Sequence, residues 1–220
     1  MRRHPWQARV KAVLDPLFAT VLLVLLSPVL AGIAIWVLAE SGRPVFFVRP
    51  RAGRRGRPFP MLKFRSMIPD AVEHGQRVGL TEDPYGLVED DPRITRSGRF
   101  LRRTGLDEAP QLVNVLRLQM SLVGPRPDLV EQAEHYTEEE ARRLSVRPGL
   151  TGWSQIHGRE DMDWPARFRY DAWYLDHWSL WLDLKILFLT VAQLFRPDPE
   201  PVEDTMNIER ARRASSAPRP

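Results

Sequence analysis

The feature that most limits the fold is an uncharged apolar run from Leu17 to Ala39, interrupted near its middle by Ser27-Pro28. As one helix rising 1.5 Å per residue it reaches about 35 Å, enough to cross the hydrocarbon of a bilayer. Val37-Leu38-Ala39 resembles a leader cleavage site, but the run exceeds the roughly 7–15 apolar residues of a secretory signal. Pro28 lacks an amide for the helical ladder and kinks it, while Ser27 is placed to bond a freed carbonyl. Basic residues flank both ends: Arg2, Arg3, Arg9 and Lys11 before, then Arg43, Arg49, Arg51, Arg54, Arg55 and Arg57 after. A simple span has one basic end, on the cytoplasmic side. Two basic ends fit a helix that enters, breaks at Ser27-Pro28 and leaves by the same face. The sequence therefore predicts a re-entrant helix–break–helix over residues 1–40, ahead of a kinked transmembrane span.

Beyond it, Val45–Val48 and Phe59–Phe64 read as short strands joined by a Gly53-Arg54-Arg55-Gly56 turn. Alternation puts Lys63 and Arg65 on one face, either as a solvated edge or as a phosphate grip. A short helix is expected over 69–78, then a loop rich in Asp, Gly and Pro over 79–95, serving as a lid or a connection. Residues 128–145 read as an acidic amphipathic helical region, and Arg147–Trp153 as a turn into a short strand through Ile156. From Trp164 to Phe195 the pattern is helical throughout and dense in aromatics. Asp183 and Lys185 interrupt the apolar Ser179–Thr190 segment and argue against a second span; a helix lying in the membrane interface and a core helix fit equally. The tail, 196–220, has the prolines, arginines and small residues of a disordered segment. The expected fold is α+β and mostly helical. A re-entrant membrane element (1–40) precedes a small cytosolic domain (41–195) with a short β-hairpin and interfacial amphipathic helices.

Composition bears on partners. Lys and Arg total 32 against 28 Asp and Glu, a net charge of +4, which suits a nucleic acid, a membrane surface or a phosphorylated substrate. With no cysteine in the chain, disulfides, zinc–thiolate sites and a cysteine nucleophile are excluded. Seven tryptophans favour the membrane–water interface.

The stretch with the most chemistry runs from Phe100 to Pro127, around the adjacent carboxylates Asp107 and Glu108. A Thr104-Gly105 turn precedes them and Pro110 follows. Leu112, Val113, Val115 and Leu116 then recur at helical spacing. The simplest local reading makes Asp107 the N-cap of that helix, with Pro110 in its first turn. Arg99, Arg102 and Arg103 lie just upstream, and a Gly124-Pro125-Arg126-Pro127 turn is placed to return Arg126 to the pair. Taken alone, this is either a helix cap with its dipole partner or a site for phosphate chemistry.

Seven segments in fixed order decide between them: the run broken at Ser27-Pro28, G-R-P-V-F-F (42–47), K-F-R-S-M (63–67), L-D-E-A-P-Q-L-V-N-V-L (106–116), M-S-L-V-G-P-R-P (120–127), R-P-G-L-T-G-W (147–153) and L-D-L-K-I-L (182–187). Together they resemble the bacterial sugar transferase family, the monotopic phosphoglycosyl transferases, across about residues 8–195. The resemblance implies transfer of sugar 1-phosphate from a UDP-sugar to a polyprenyl (undecaprenyl) phosphate, with release of UMP, as the first step of exopolysaccharide or glycoconjugate assembly. It implies that Asp107 is the nucleophile of a phosphosugar–aspartyl intermediate and that Glu108 holds Mg²⁺. Lys63, Arg103 and Arg126 are the expected phosphate neutralisers, with Arg147 and then Arg65 weaker candidates and Asp171 a further acidic contact. The implied partners are the donor, the lipid acceptor and the bilayer, with no nucleic acid; the oligomeric state and the sugar stay open. The implied location is the cytoplasmic face of a bacterial inner membrane. Two departures from the family pattern stand out: Leu118-Gln119 where Gly and an acid are usual, and Gly105 where Ser is. They are expected to change loop shape without abolishing activity. The chain reads as a minimal form, anchor plus catalytic domain, without the multi-span region of longer members. A non-enzymatic, basic, lipid-binding surface protein is the rival reading; it explains the charge and the tryptophans but not the acidic pair.

Overall fold

A computed structural model describes residues 5–71, 91–158 and 162–194. Helix α1 (Pro5–Ser41) carries Pro16 and Pro28 inside it. The interruption at Ser27-Pro28 is thus a proline within one helix rather than a gap between two. Pro28 has no amide to offer the Val24 carbonyl four residues back, and the Ser27 hydroxyl donates to that oxygen instead at 2.8 Å. One stripe of α1 is covered along its whole length: Ala8, Lys11, Asp15, Ala19, Leu23, Leu26, Leu30, Ile33 and Val37, at intervals of three and four. That is the periodicity of a helix lying lengthwise on its neighbours. The opposite side, including Leu17, Val21, Val24, Leu25, Val29 and Ile35, is bare.

Strands β1 (Phe46–Ala52) and β2 (Pro58–Phe64) form the predicted antiparallel hairpin, with Phe47 opposite Lys63 and Arg51 opposite Phe59. A 3₁₀ turn, Arg54–Gly56, closes it. Helix α2 (Arg96–Thr104) starts on a Thr95 cap, whose Oγ1 accepts the Gly98 amide at 2.9 Å. Gly98 is required there: a Cβ would lie 1.9 Å from the Ser66 carbonyl oxygen. Gly105, at φ +69°, ends α2 in the left-handed conformation that glycine adopts without cost. Leu106–Glu108 then makes a 3₁₀ turn, and α3 (Gln111–Leu116) begins after Pro110. Asp107 is therefore not an N-cap, contrary to expectation. Pro110 occupies the cap position, and the Gly105 turn leaves Asp107 and Glu108 in a tight loop of their own.

Strand β3 (Ser121–Val123) pairs in parallel with β4 (Gly149–Thr151). Between them the predicted helical region divides into α4 (Val130–Ala133), α5 (Glu138–Ala141) and a 3₁₀ turn, Arg142–Ser145. Thr137 and Glu140 form a capping box that starts α5 afresh. The strand expected through Ile156 stops at Thr151, and α6 (Trp153–Gly158) follows at once. Likewise the single helix expected from Trp164 is two, α7 (Trp164–His177) and α8 (Leu180–Leu194). Ser179 separates them, its Oγ accepting the Leu182 amide at 3.1 Å.

The core gathers Ala19, Phe59, Met61, Leu112, Val115, Met120, Leu122, Tyr174 and Ile186; a smaller cluster joins Ile33 and Val37 to Phe64 and Leu101. Helix α8 is a core helix on one side. Leu182 and Ile186 enter the core, while Trp181, Leu184, Phe188 and Val191 leave an apolar face uncovered. Lys11, expected in a charged lead-in, is buried and paired with Asp183 at 2.7 Å, because α1 extends back to Pro5 and places it on the covered stripe. Most of the expected helix at 69–78, most of the loop at 79–95 and the tail lie outside the described residues. The end of that loop is fixed by a bridge between Met67 and Ile94 and a buried Asp91–Arg93 ion pair.

Candidate active site

The loop between α2 and α3 presents Asp107 and Glu108 to two cations arriving from different elements. Lys63, next to last in β2, donates to Glu108 Oε1 at 2.6 Å and stands 3.8 Å from Asp107 Oδ2. Arg126, in the turn after β3, places Nη2 at 2.9 Å from Glu108 Oε1 and Nη1 at 3.4 Å from Oε2. Asn114 of α3 sets the register by accepting the Leu62 amide at 3.1 Å and donating to the Pro60 carbonyl at 2.8 Å. A buried amide spanning an open strand edge in this way fixes Lys63 opposite the acids.

The two carboxylates differ in state. Burial alone would raise the Glu108 pKa, but Arg126 and Lys63 outweigh it and hold the group at about 2. Asp107 is pushed above its ordinary value, by burial first and then by the Glu108 charge, with Lys63 only partly offsetting them. Glu108 is thus a fixed anion locked to two cations, and Asp107 the less neutralised partner beside it.

Arg126 is itself positioned by a buried hub. Arg143 donates to the Arg126 carbonyl at 2.8 Å, pairs with Asp128 and Tyr136, reaches Asp171 Oδ2 at 2.7 Å and lies 5.1 Å over the Phe168 ring. Asp171, also accepting from Ser154 Oγ at 2.9 Å, is only 1% exposed. It supports the Arg126 turn through Arg143 and does not line the carboxylate pair.

Of the other sequence candidates, Arg103 is exposed on α2, and no hydrogen bond or ion pair among the described residues ties it to the pair. Arg147 lines a separate cleft with Arg54, Arg55 and Arg57. Arg65 diverges from Lys63 just beyond the strand end: it donates to the Ser41 and Gly42 carbonyls at 2.5 Å each, capping the C-terminus of α1. Ser27 and Pro28 are exposed in α1.

Sequence reasoning left out Arg51. Burial first, and then the charges of Arg126 and Arg49, push its pKa down, and its buried Nε has no hydrogen-bond partner among the described residues. Its register, on the same sheet face as Lys63 and four residue pairs further along, was available from alternation. Asn114 also left a trace, as the one amide inside an apolar helical run; Arg143 left none.

Among the described residues there is no cluster of three or more metal-binding side chains. The donor set nonetheless fits Mg²⁺, which takes one or two carboxylates and completes its shell with water and substrate phosphate. Glu108 Oε2 accepts the long 3.4 Å contact from Arg126 and, with two lone pairs, keeps acceptor capacity.

Comparison with known proteins identifies the family. The family profile for bacterial sugar transferases matches residues 6–197. The chain is 46% identical to the uncharacterized sugar transferase EpsL of Bacillus subtilis, over 72% of this chain and 73% of that protein. It is 40% identical to an undecaprenyl-phosphate galactose phosphotransferase of Salmonella typhimurium, over 86% of this chain and 41% of the relative. With a UDP-glucose:undecaprenyl-phosphate glucose-1-phosphate transferase of Escherichia coli it shares 44% identity over 82% of this chain and 39% of the relative. The chain thus spans about two fifths of the length of those last two relatives. The acidic pair, the two cations that grip it and α1 from Trp6 onward lie within the matched segment: the chain belongs to the bacterial sugar transferase family.

Proposed function

We propose that the chain transfers sugar 1-phosphate from a UDP-sugar to a polyprenyl phosphate at the cytoplasmic face of a bacterial inner membrane, with Asp107 as covalent nucleophile. The observation that carries this reading is the unequal pair: Glu108 held ionised by Lys63 and Arg126, and Asp107 adjacent but only partly neutralised. A carboxylate attacks phosphorus only where surrounding cations offset the phosphate charge, and Lys63 and Arg126 supply it here. An Asp107 carboxylate oxygen bonds to the β-phosphorus while the bond to the bridging oxygen breaks, and UMP leaves with that electron pair. The acceptor phosphate oxygen then attacks the same phosphorus, and the acyl–phosphate bond breaks to restore the Asp107 carboxylate. Glu108 is the residue that would hold Mg²⁺, whose chemistry is to neutralise the donor diphosphate.

Membrane placement follows from α1. Its covered stripe runs from Ala8 to Val37, so both ends stay with one domain while the bare side meets lipid. That supports a re-entrant anchor holding the pair at headgroup depth, within reach of a lipid-borne acceptor.

The test is UMP release from a panel of UDP-sugars, with Mg²⁺ and undecaprenyl phosphate, for wild type and Asp107→Asn. Wild-type release with a loss on the order of 10³-fold or more in the variant is expected. Full activity in Asp107→Asn would rule out the covalent step. Release by neither protein, with both shown to be folded, would remove the UDP-sugar reading.

A further inference from the structure

A cleft of about 370 Å³ opens at the tip of the hairpin, between the Arg54–Gly56 turn and Leu118-Gln119. Arg54, Arg55, Arg57 and Arg147 all line it. Among the described residues none of the four forms an ion pair; the cations that do are Lys11, Lys63, Arg93, Arg126, Arg142 and Arg143. Grouped guanidiniums without a counter-ion repel one another, and their planar forks match the oxygens of a phosphate. The arrangement is anchored: Arg54 Nε donates to the Ser145 carbonyl at 3.2 Å, and Gln119 Oε1 accepts from Asn114 Nδ2 at 2.7 Å.

A second observation comes from the backbone. Two non-glycine residues in the left-handed region, Arg55 (φ +60°) and Leu118 (φ +58°), line this same cleft. Side chains are held in that conformation only where the surroundings impose it, which happens often at ligand sites. The cleft is also separate from the acidic pair. Asp107, Glu108, Lys63 and Arg126 do not line it, and Phe59, at its wall, precedes Lys63 by four strand positions, or about 13 Å.

We infer that this cleft is a second anion site, built to take a phosphate monoester or diester apart from the carboxylate pair. Two sources carry that chemistry: the headgroup of an anionic phospholipid at the bilayer surface, and the phosphate of a free nucleotide. The site stands independently of the chemistry assigned to Asp107.

The experiment uses the full chain in nanodiscs and follows amide hydrogen exchange at Gly53–Arg57 and Leu118–Met120. One arm raises the phosphatidylglycerol fraction in phosphatidylcholine discs. The other adds UMP to discs of phosphatidylcholine alone. Slowed exchange at these amides is expected in one arm, with apparent affinity on the order of tenfold weaker in Arg55→Ala/Arg57→Ala. Gln119→Glu keeps the acceptor for Asn114 and inserts a counter-charge. It should weaken the same arm, and it stands in if the double variant does not fold. Protection in the lipid arm assigns a headgroup site, and protection in the UMP arm a nucleotide-phosphate site; either supports the inference. No protection in either arm, or protection of full strength in both variants, overturns it.

Discussion

Asp107 and Glu108 are neighbours in one turn, yet their environments push them in opposite directions, and this has a consequence for pH. Asp107 can act as a nucleophile only when ionised, so activity should fall as pH drops through its pKa, which lies above the usual carboxylate value. Part of that rise is repulsion from the Glu108 charge. Glu108→Gln removes the charge and leaves Lys63 to Asp107 alone, so the acid limb of kcat/KM for UMP release should move to lower pH. The maximal rate should fall about 10–100-fold as the cations lose their anchor. An acid limb that stays in place or moves up would show that Glu108 does not set the state of Asp107. At this scale the chain was partly legible. Asp107, Glu108, Lys63 and Arg126 come together as their segments predict, because strand alternation and a tight Gly-Pro turn leave little freedom. Arg103 does not join them, because facing on a helix changes by about 100° per residue and the rotation of α2 is set by packing at Gly98 and Leu101. Asp171 sits in a buried ion pair with Arg143 that no spacing rule reveals.

Between elements, the C-terminal end of α1 is held by two reciprocal caps. Arg65, at the end of β2, donates to the last carbonyls of α1. Glu40, near the end of α1, accepts the Arg96 and Ser97 amides at 2.7 and 2.9 Å, at the start of α2. Each places charge where the helix dipole favours it. Arg65→Ala strands the Ser41 and Gly42 carbonyls and should cost about 2 kcal/mol, lowering Tm by roughly 4–8 °C. Thermal unfolding of the purified chain checks this, and an unchanged Tm would mean that α1 ends without help from Arg65. The hairpin was readable because two apolar runs flank a glycine-bounded turn. The shorter helices were misread for the opposite reason. Their limits are set by single hydroxyls, Thr137 and Ser179, whose capping signals lie inside stretches that otherwise look continuously helical. The strand predicted through Ile156 failed on packing. Gly152 sits where a Cβ would come within 2.3 Å of the Gly124 carbonyl oxygen, and the chain turns there into α6.

Across the whole molecule, α1 and α8 leave apolar surface bare, while their buried sides are joined by polar contacts. Lys11 pairs with Asp183, and Asp15 accepts from Ser121 Oγ at 2.5 Å, close to the N-terminal end of α1. Glu40 holds the other end to α2. Moving either end of α1 across a bilayer would break one of these sets and leave charge stranded in a low-dielectric environment, a cost of several kcal/mol. Both flanks of the apolar run should therefore lie on one side of the membrane, as two basic ends led the sequence to predict. The absence of native cysteine permits a direct measurement with Arg9→Cys and Arg43→Cys, both at exposed positions bracketing the run. In spheroplasts an impermeant maleimide should label neither variant, and in inverted vesicles it should label both. Labelling of one variant from each side would establish a span. The contacts at one end of α1 would then have to be absent in the bilayer, and the proposed re-entrant anchor would fall with them.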